Sequence, residues 1–191
     1  MAPLRPERRD DVLALFDAAP APARGARERA ACCCTLYALP RAVDFAALDA
    51  SAHRCATASR IDVGEQDGYL ALDAGRVAAW LNVQPRHRVP HCFDRLGIAP
   101  PPIDVPPHDA AVALCLVVAP GVDAAAVGPA LIAAAVDALA ARGLRVVEAF
   151  PRRDAAGDEA HEPGRPGWYE AAGFVVEGER GGRLHMRRGL A

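Results

Sequence analysis

Residues 111–150 read AVALCLVVAPGVDAAAVGPALIAAAVDALAARGLRVVEAF. Ala111 to Val118 is an unbroken apolar run, the pattern of a strand buried on both faces. Pro120-Gly121-Val122-Asp123 reads as a tight connection. A helix follows over about Ala125 to Arg142, where Val127, Leu131, Val136 and Leu139 can form an apolar stripe. Gly143 stands where a residue with positive φ closes a helix. Leu144 to Phe150 returns as a second apolar strand. Strand, helix and strand at this spacing make a βαβ unit with parallel strands and a right-handed crossover.

Upstream, Tyr69 to Leu72, Asp73-Ala74-Gly75 and Val77 to Val83 predict a β-hairpin with glycine in its turn. Arg5 to Asp17 contains an amphipathic helix with Val12, Leu13, Leu15 and Phe16 on one side and Asp10 or Asp11 as its cap. Pro3 to Arg5 reads as a short strand before it, and Pro20 to Arg29 as a loop. Ala31 to Leu39 suits a buried strand, which would place Cys32 and Cys34 on one face and Cys33 on the other. Ala42 to Ser59 reads as helical, weakest near Ser51. His87 to Asp109 is rich in proline and predicts a long irregular connection. Downstream of the βαβ unit, Pro151 to Pro166 is a polar loop. Gly167 to Ala172 is a short helix closed by Gly173. Phe174 to Val176 and Arg183 to Arg188 form a last hairpin around Gly181-Gly182.

The composition excludes several classes. The chain has 191 residues, with 22 basic against 24 acidic residues. That balance argues against a nucleic-acid binder, which needs a basic stripe. A hydrophobic share of 52% is too high for a disordered chain. A single domain over 1–191 is the expectation, with a core large enough to need no disulfide or metal. No apolar stretch of membrane-spanning length is free of charge or proline, so no membrane span is expected. The first residues lack the apolar segment of a secretory signal. A cytoplasmic setting follows, with reduced cysteines. Every basic residue other than histidine is arginine, which with the abundance of alanine reflects genome composition.

In this order of elements, three local sequences resemble the GNAT acetyltransferases. CLVVAPGVDAAAVGPALIAAAVDALAARG is similar to that family's strand, pyrophosphate loop and following helix. VVEAFP resembles its next strand, and WYEAAGF its YEKLGF box, which a terminal hairpin follows. The stretch CCCTLYALPRA and a hairpin ending in AAWLNVQPR are similar to a little-characterised branch with a Cys-x-Cys strand. The resemblance implies an α/β (α+β) fold: a mixed, mostly antiparallel twisted sheet with a splayed parallel strand pair and flanking helices. It also implies acetyl-CoA as co-substrate, lying between the splayed strands. Leu116, Val117 and Val118 would hold pantetheine through their backbone. Asp123, Ala124, Ala126, Gly128 and Pro129 would meet the pyrophosphate at the helix N-terminus, where free amides and the helix dipole favour an anion.

The loop departs from the family spelling Arg/Gln-x-x-Gly-x-Gly/Ala, and of Asp123 to Gly128 only Gly128 fits. Asp123 brings a like charge to a phosphate. Two such charges at ~4 Å repel by about 1 kcal/mol in water and about 4 at an effective dielectric of 20. Ala126 replaces a glycine, and Pro129 removes one amide donor. Asp123 is also a good N-cap, and in that role it takes the amides a phosphate needs.

The resemblance makes Tyr169 the acid that protonates the leaving thiolate; a phenol near pKa 10 can do so. Glu148, a carboxylate inside an apolar strand, is the candidate base that frees the amine, its plainer reading being a strand edge that faces solvent or an arginine. His185 is a weaker candidate for that task. Arg86, His87, Arg88 and His91, like Arg152 and Arg153, could meet an anionic acceptor or a CoA phosphate, or be merely solvated. The cysteines, with His53 and His91, lack zinc-ligand spacing and read as small buried hydrophobes, with no metal site. The resulting expectation is an N-acetyltransferase acting by direct attack in a ternary complex. Its partner would be a small-molecule or peptide amine, and a homodimer is left open. The alternative is a non-catalytic member of the fold that has lost the co-substrate and acts as a binding or dimerisation module.

Overall fold

The computed structural model describes residues 1–19, 33–40, 42–153 and 164–190. Seven strands form one twisted sheet: β1 (Ala2–Pro3), β2 (Gly68–Asp73), β3 (Arg76–Pro85), β4 (Ala110–Val118), β5 (Val146–Ala149), β6 (Val175–Arg180) and β7 (Arg183–Gly189). Their order is β1-β2-β3-β4-β5-β7-β6. Every neighbouring pair is antiparallel except β4 and β5, which are parallel. One face carries α1 (Arg9–Ala18), α2 (Ala50–Asp62) and α3 (Cys92–Leu96); the other carries α4 (Ala124–Ala141) and α5 (Pro166–Ala171).

The central strands β3, β4 and β5 are mostly apolar runs buried on both faces, whereas the edge strand β6 is exposed along nearly its whole length. Ala74 and Gly75, with φ of 47° and 81°, turn β2 into β3, the geometry of a two-residue hairpin. Between β4 and β5, α4 lays Leu131, Ile132, Ala135, Val136 and Leu139 on the sheet. It closes as the glycine predicts: Gly143 has φ 83° and donates to the Ala140 carbonyl, while Leu144 donates to Leu139. Those two bonds are the Schellman pattern. Among the described residues, α4 is the one helix long and apolar enough to cross a membrane by length and composition, but its larger apolar side chains serve as core here.

Four expectations change. Over residues 33–39 there is no strand: Cys33 and Cys34 both have positive φ, 44° and 62°, and the chain turns. The apolar run is buried by tertiary contacts instead. Trp80 Nε1 donates to Cys34 Sγ at 3.2 Å, and the Thr57 hydroxyl donates to the Cys33 carbonyl. Cys32 and the predicted loop Pro20 to Arg29 lie outside the described residues. Secondly, α1 is not capped by Asp10 or Asp11, which lie inside its first turn, where they complement the helix dipole. Thirdly, the helix expected over 42–59 is broken. A 3₁₀ turn at Phe45–Ala47 is followed by α2, which starts afresh because Asp49 accepts from the Ala52 amide at 2.7 Å. Lastly, the proline-rich connection contains a 3₁₀ turn at Arg86–Arg88 and α3 before it becomes irregular.

Candidate active site

The site begins with an extra residue in β4. Asn82 pairs with Cys115 and Val83 with Ala113, so Leu114 is a bulge. Consistently, Leu114 and the adjacent Cys115 both face the α1–α3 side, while Ala113 and Leu116 face α4. A bulge bends its strand and increases the local twist. The β4–β5 pairing stops at this point, with Ala113 opposite Ala149. From Leu114 to Val118, β4 keeps β3 on one side and, among the described residues, has no strand on the other. This leaves a strip of β4 backbone that an extended ligand can pair with as an added strand. Leu116, Val117 and Val118 lie on it, and their side chains pack into the two cores and need take no part.

Tyr169 is 0% exposed. It projects from α5, with its ring edge-on to Phe174 at 5.1 Å between centroids. Burial, and second the neighbouring Cys115, push its phenol above the ordinary tyrosine range. Tyr169 lies in the same core cluster as Ala113 and Leu116 of β4 and keeps its proton throughout the neutral range. Proton transfer to a thiolate with a pKa near 8.5 is uphill from such a phenol. Donation of a hydrogen bond to a developing negative charge is not.

Glu148 lies on the opposite face from α4, one residue before the last β4–β5 pair. It is 0% exposed, and both carboxylate oxygens are engaged. Arg86 Nη1 donates to Oε2 at 2.8 Å, and His185 Nε2 lies 2.9 Å from Oε1. Arg86 also donates to the Pro101 carbonyl at 2.7 Å and sits over the Phe93 ring. The imidazole of His185 stacks on Phe150, with centroids 5.1 Å apart and planes within 7°. A carboxylate only accepts, so in the neutral ring Nε2 carries the hydrogen and Nδ1 keeps a lone pair. Nδ1 faces Glu177 at 3.9 Å, and Glu177 is itself the bulged residue of β6. The structure thus joins Glu148 to its weaker rival, His185, in one pair. It also gives Glu148 the arginine partner of the plainer reading.

At the other end of the gap, Asp123 caps α4. Its Oδ1 accepts from the amides of Ala125 at 2.9 Å and Ala126 at 3.3 Å. Ala124 is the first helical residue. Gly128 has a packing role: a Cβ there would stand 2.8 Å from two ring carbons of Trp168. Pro129 falls in the second turn of α4, so it removes a bond to the Ala125 carbonyl rather than an amide at the helix mouth. The β4 edge beyond Ala113 therefore leaves backbone groups without a strand partner among the described residues, while at the N-terminus of α4 the amides of Ala125 and Ala126 are held by Asp123.

Most of the basic residues singled out in the sequence are tied internally. Arg88 donates to the Gly64 carbonyl and pairs with Asp67, which Arg142 also reaches. Arg153 pairs with Glu179, and Arg152 forms an isolated backbone bridge with Arg183. Among the described residues no cluster of His, Cys, Asp and Glu is arranged to hold a metal ion. Cys33, Cys34, Cys92 and Cys115 are buried and Cys55 is exposed. His53 is buried too, with Nδ1 2.9 Å from the Thr35 hydroxyl and its ring against Phe45. Two contributors escaped the sequence reading, Trp168 over Gly128 and Arg86 as the partner of Glu148. Neither is signalled by local spacing.

No family model matches the chain, and no curated protein matches it. Solved structures do. The GNAT domain of S. lividans PAT is 14% identical and aligns with 98% of this chain and 88% of its own, with a TM-score of 0.56. The PaiA N-acetyltransferase of Thermoplasma acidophilum, solved with coenzyme A, is 13% identical over 99% of both chains, with a TM-score of 0.55. An N-acetyltransferase from Staphylococcus aureus Mu50 is 11% identical over 98% of this chain and 95% of its own, also at 0.55. The sheet with one splayed parallel pair and the two helical layers are the GNAT acetyltransferase fold.

Proposed function

We propose that this protein is an N-acyltransferase that moves an acetyl group from a pantetheine thioester, acetyl-CoA being the expected carrier, to a small-molecule or peptide amine. The observation that carries this reading is the edge of β4 from Leu114 to Val118, which no strand among the described residues pairs beyond Ala113, with the buried Tyr169 in the same core cluster as Leu116. An acetyl thioester held there supplies an activated acyl carbon and a thiolate leaving group. The β4 backbone, including Leu116, Val117 and Val118, orients the pantetheine amides. Tyr169 donates a hydrogen bond toward the sulfur. On the acceptor side, His185 Nδ1 takes the amine proton. Glu148 acts through His185 as a positioning residue, fixing the tautomer while Arg86 holds its other carboxylate oxygen.

The test is release of free thiol from acetyl-CoA and from S-acetyl-pantetheine in the presence of a panel of amines. Tyr169→Phe is expected to lower turnover by about 10²–10³-fold, the loss of one hydrogen bond to developing charge, with donor affinity unchanged. His185→Gln should lower turnover with donor affinity unchanged, and Glu148→Gln should be intermediate. Absence of binding and of thiol release with both donors would overturn the reading. A second reading, a GNAT-fold module without catalysis, is favoured by one observation: the Asp123 carboxylate on the α4 amides.

A further inference from the structure

Resting on the acyl-transfer reading, we infer that the donor is recognised through its pantetheine arm alone, and that Asp123 keeps the diphosphate of a CoA off the N-terminus of α4. The amides of Ala125 and Ala126 are the donors an anion at this helix would take. Asp123 Oδ1 holds both, at 2.9 and 3.3 Å. That carboxylate is part of the chain, so it is always present, and it already compensates the positive end of the helix dipole. A diphosphate would have to displace it and then lie beside it.

A second contact points the same way. The Trp168 indole covers the flank of α4 at Gly128 so closely that a methyl group would stand 2.8 Å from its ring, and it meets Gly164 at 2.9 Å in the same sense. The flank that follows the cap is therefore filled by a side chain. Arg86, Arg88 and Arg153, which could have answered the phosphates, are spent on Glu148, Asp67 and Glu179. The pantetheine strip shares none of these obstacles, because it needs only the backbone edge of β4. The ligand class is thus an acyl-pantetheine thioester, and the nucleotide of a CoA adds little to its recognition.

The test is calorimetric titration of the full chain with CoA and with pantetheine. The wild type is expected to bind the two with affinities within about tenfold of each other, far less than charged hydrogen bonds to a diphosphate would provide. Asp123→Gly frees the Ala125 amide and leaves the Ala126 amide only its 3.2 Å bond to the residue 123 carbonyl, at a cost of only tenths of a kcal/mol in capping. It should tighten CoA by about ten- to a hundredfold while leaving pantetheine unchanged. Asp123→Asn keeps a capping side chain without the charge and should give a smaller gain. A wild type that prefers CoA by more than about tenfold overturns the inference but leaves acyl transfer standing. So does an Asp123→Gly variant with unchanged CoA affinity. Arg165 stacks over the same indole at 5.8 Å. If Arg165→Ala weakens CoA but not pantetheine, Arg165 answers the diphosphate and the inference falls. Failure of both ligands to bind overturns the inference and the acyl-transfer reading together.

Discussion

Replacing Arg86 with methionine tests how the acceptor side of the sheet is held. Glu148 has no exposed surface, and its Oε2 receives the Arg86 guanidinium at 2.8 Å. Arg86→Met keeps much of the aliphatic bulk but leaves a buried carboxylate with only His185 beside it. Breaking a buried pair by removing one partner costs about 3–5 kcal/mol, because the remaining charge is uncompensated. For a chain of this length each kcal/mol moves the midpoint by about 2–4 °C, so a fall in Tm of roughly 6–20 °C is expected. Adding Glu148→Gln removes the stranded charge. The double variant should recover part of the loss, with a coupling of about 1–3 kcal/mol between the sites. The assay is urea unfolding of wild type, both single variants and the double variant, with m-values compared to confirm a common transition. A loss below about 1 kcal/mol for Arg86→Met, or losses that simply add in the double variant, would show that Glu148 is not held as a buried charge.

Three further outcomes are expected. Gly128→Ala gains helix propensity but drives a methyl into the Trp168 ring; it should cost about 1–3 kcal/mol and shift Trp fluorescence, and Trp168→Ala in the same chain should relieve it. His53 is 0% exposed, and burial lowers its pKa in the folded state. The unfolded chain then binds a proton that the folded one refuses, so stability falls as pH drops below about 6.5. At about pH 5.5 the loss is at most about 1.4 kcal/mol, and the difference in urea midpoint between neutral and acid buffer should shrink in His53→Gln; an unchanged difference would refute the assignment. Burial pushes the Cys33 and Cys92 thiols up to about 12. Alkylation mapped by mass spectrometry should therefore mark exposed Cys55 in the native protein, and Cys33 and Cys92 only in denaturant.

The donor side of the site was legible in the sequence because it is local. The strand–helix–strand reading of residues 111–150 needs only a continuous apolar run, a helical stripe and a closing glycine, and each is a matter of a few neighbouring residues. The capping by Asp123 is local too, since its carboxylate bonds amides two and three positions on. The bulge at Leu114 was not legible, because a bulge is defined by the strand opposite it. The cysteine run misled for a related reason. Burial alone does not distinguish a strand from a turn, and what seats Cys34 is Trp80, 46 positions away. On the acceptor side, Glu148 was flagged by its type alone, a carboxylate among apolar residues. Its partners come from 62 residues before it and 37 after it. Those pairings exist only once β4, β5 and β7 are in register. The two ends of the gap therefore specify different things. The β4 end is backbone left unpaired by the splay, which any side chain at Leu116 or Val118 permits, and is set by the fold itself. The acceptor end uses charges brought together across the sheet from distant parts of the chain.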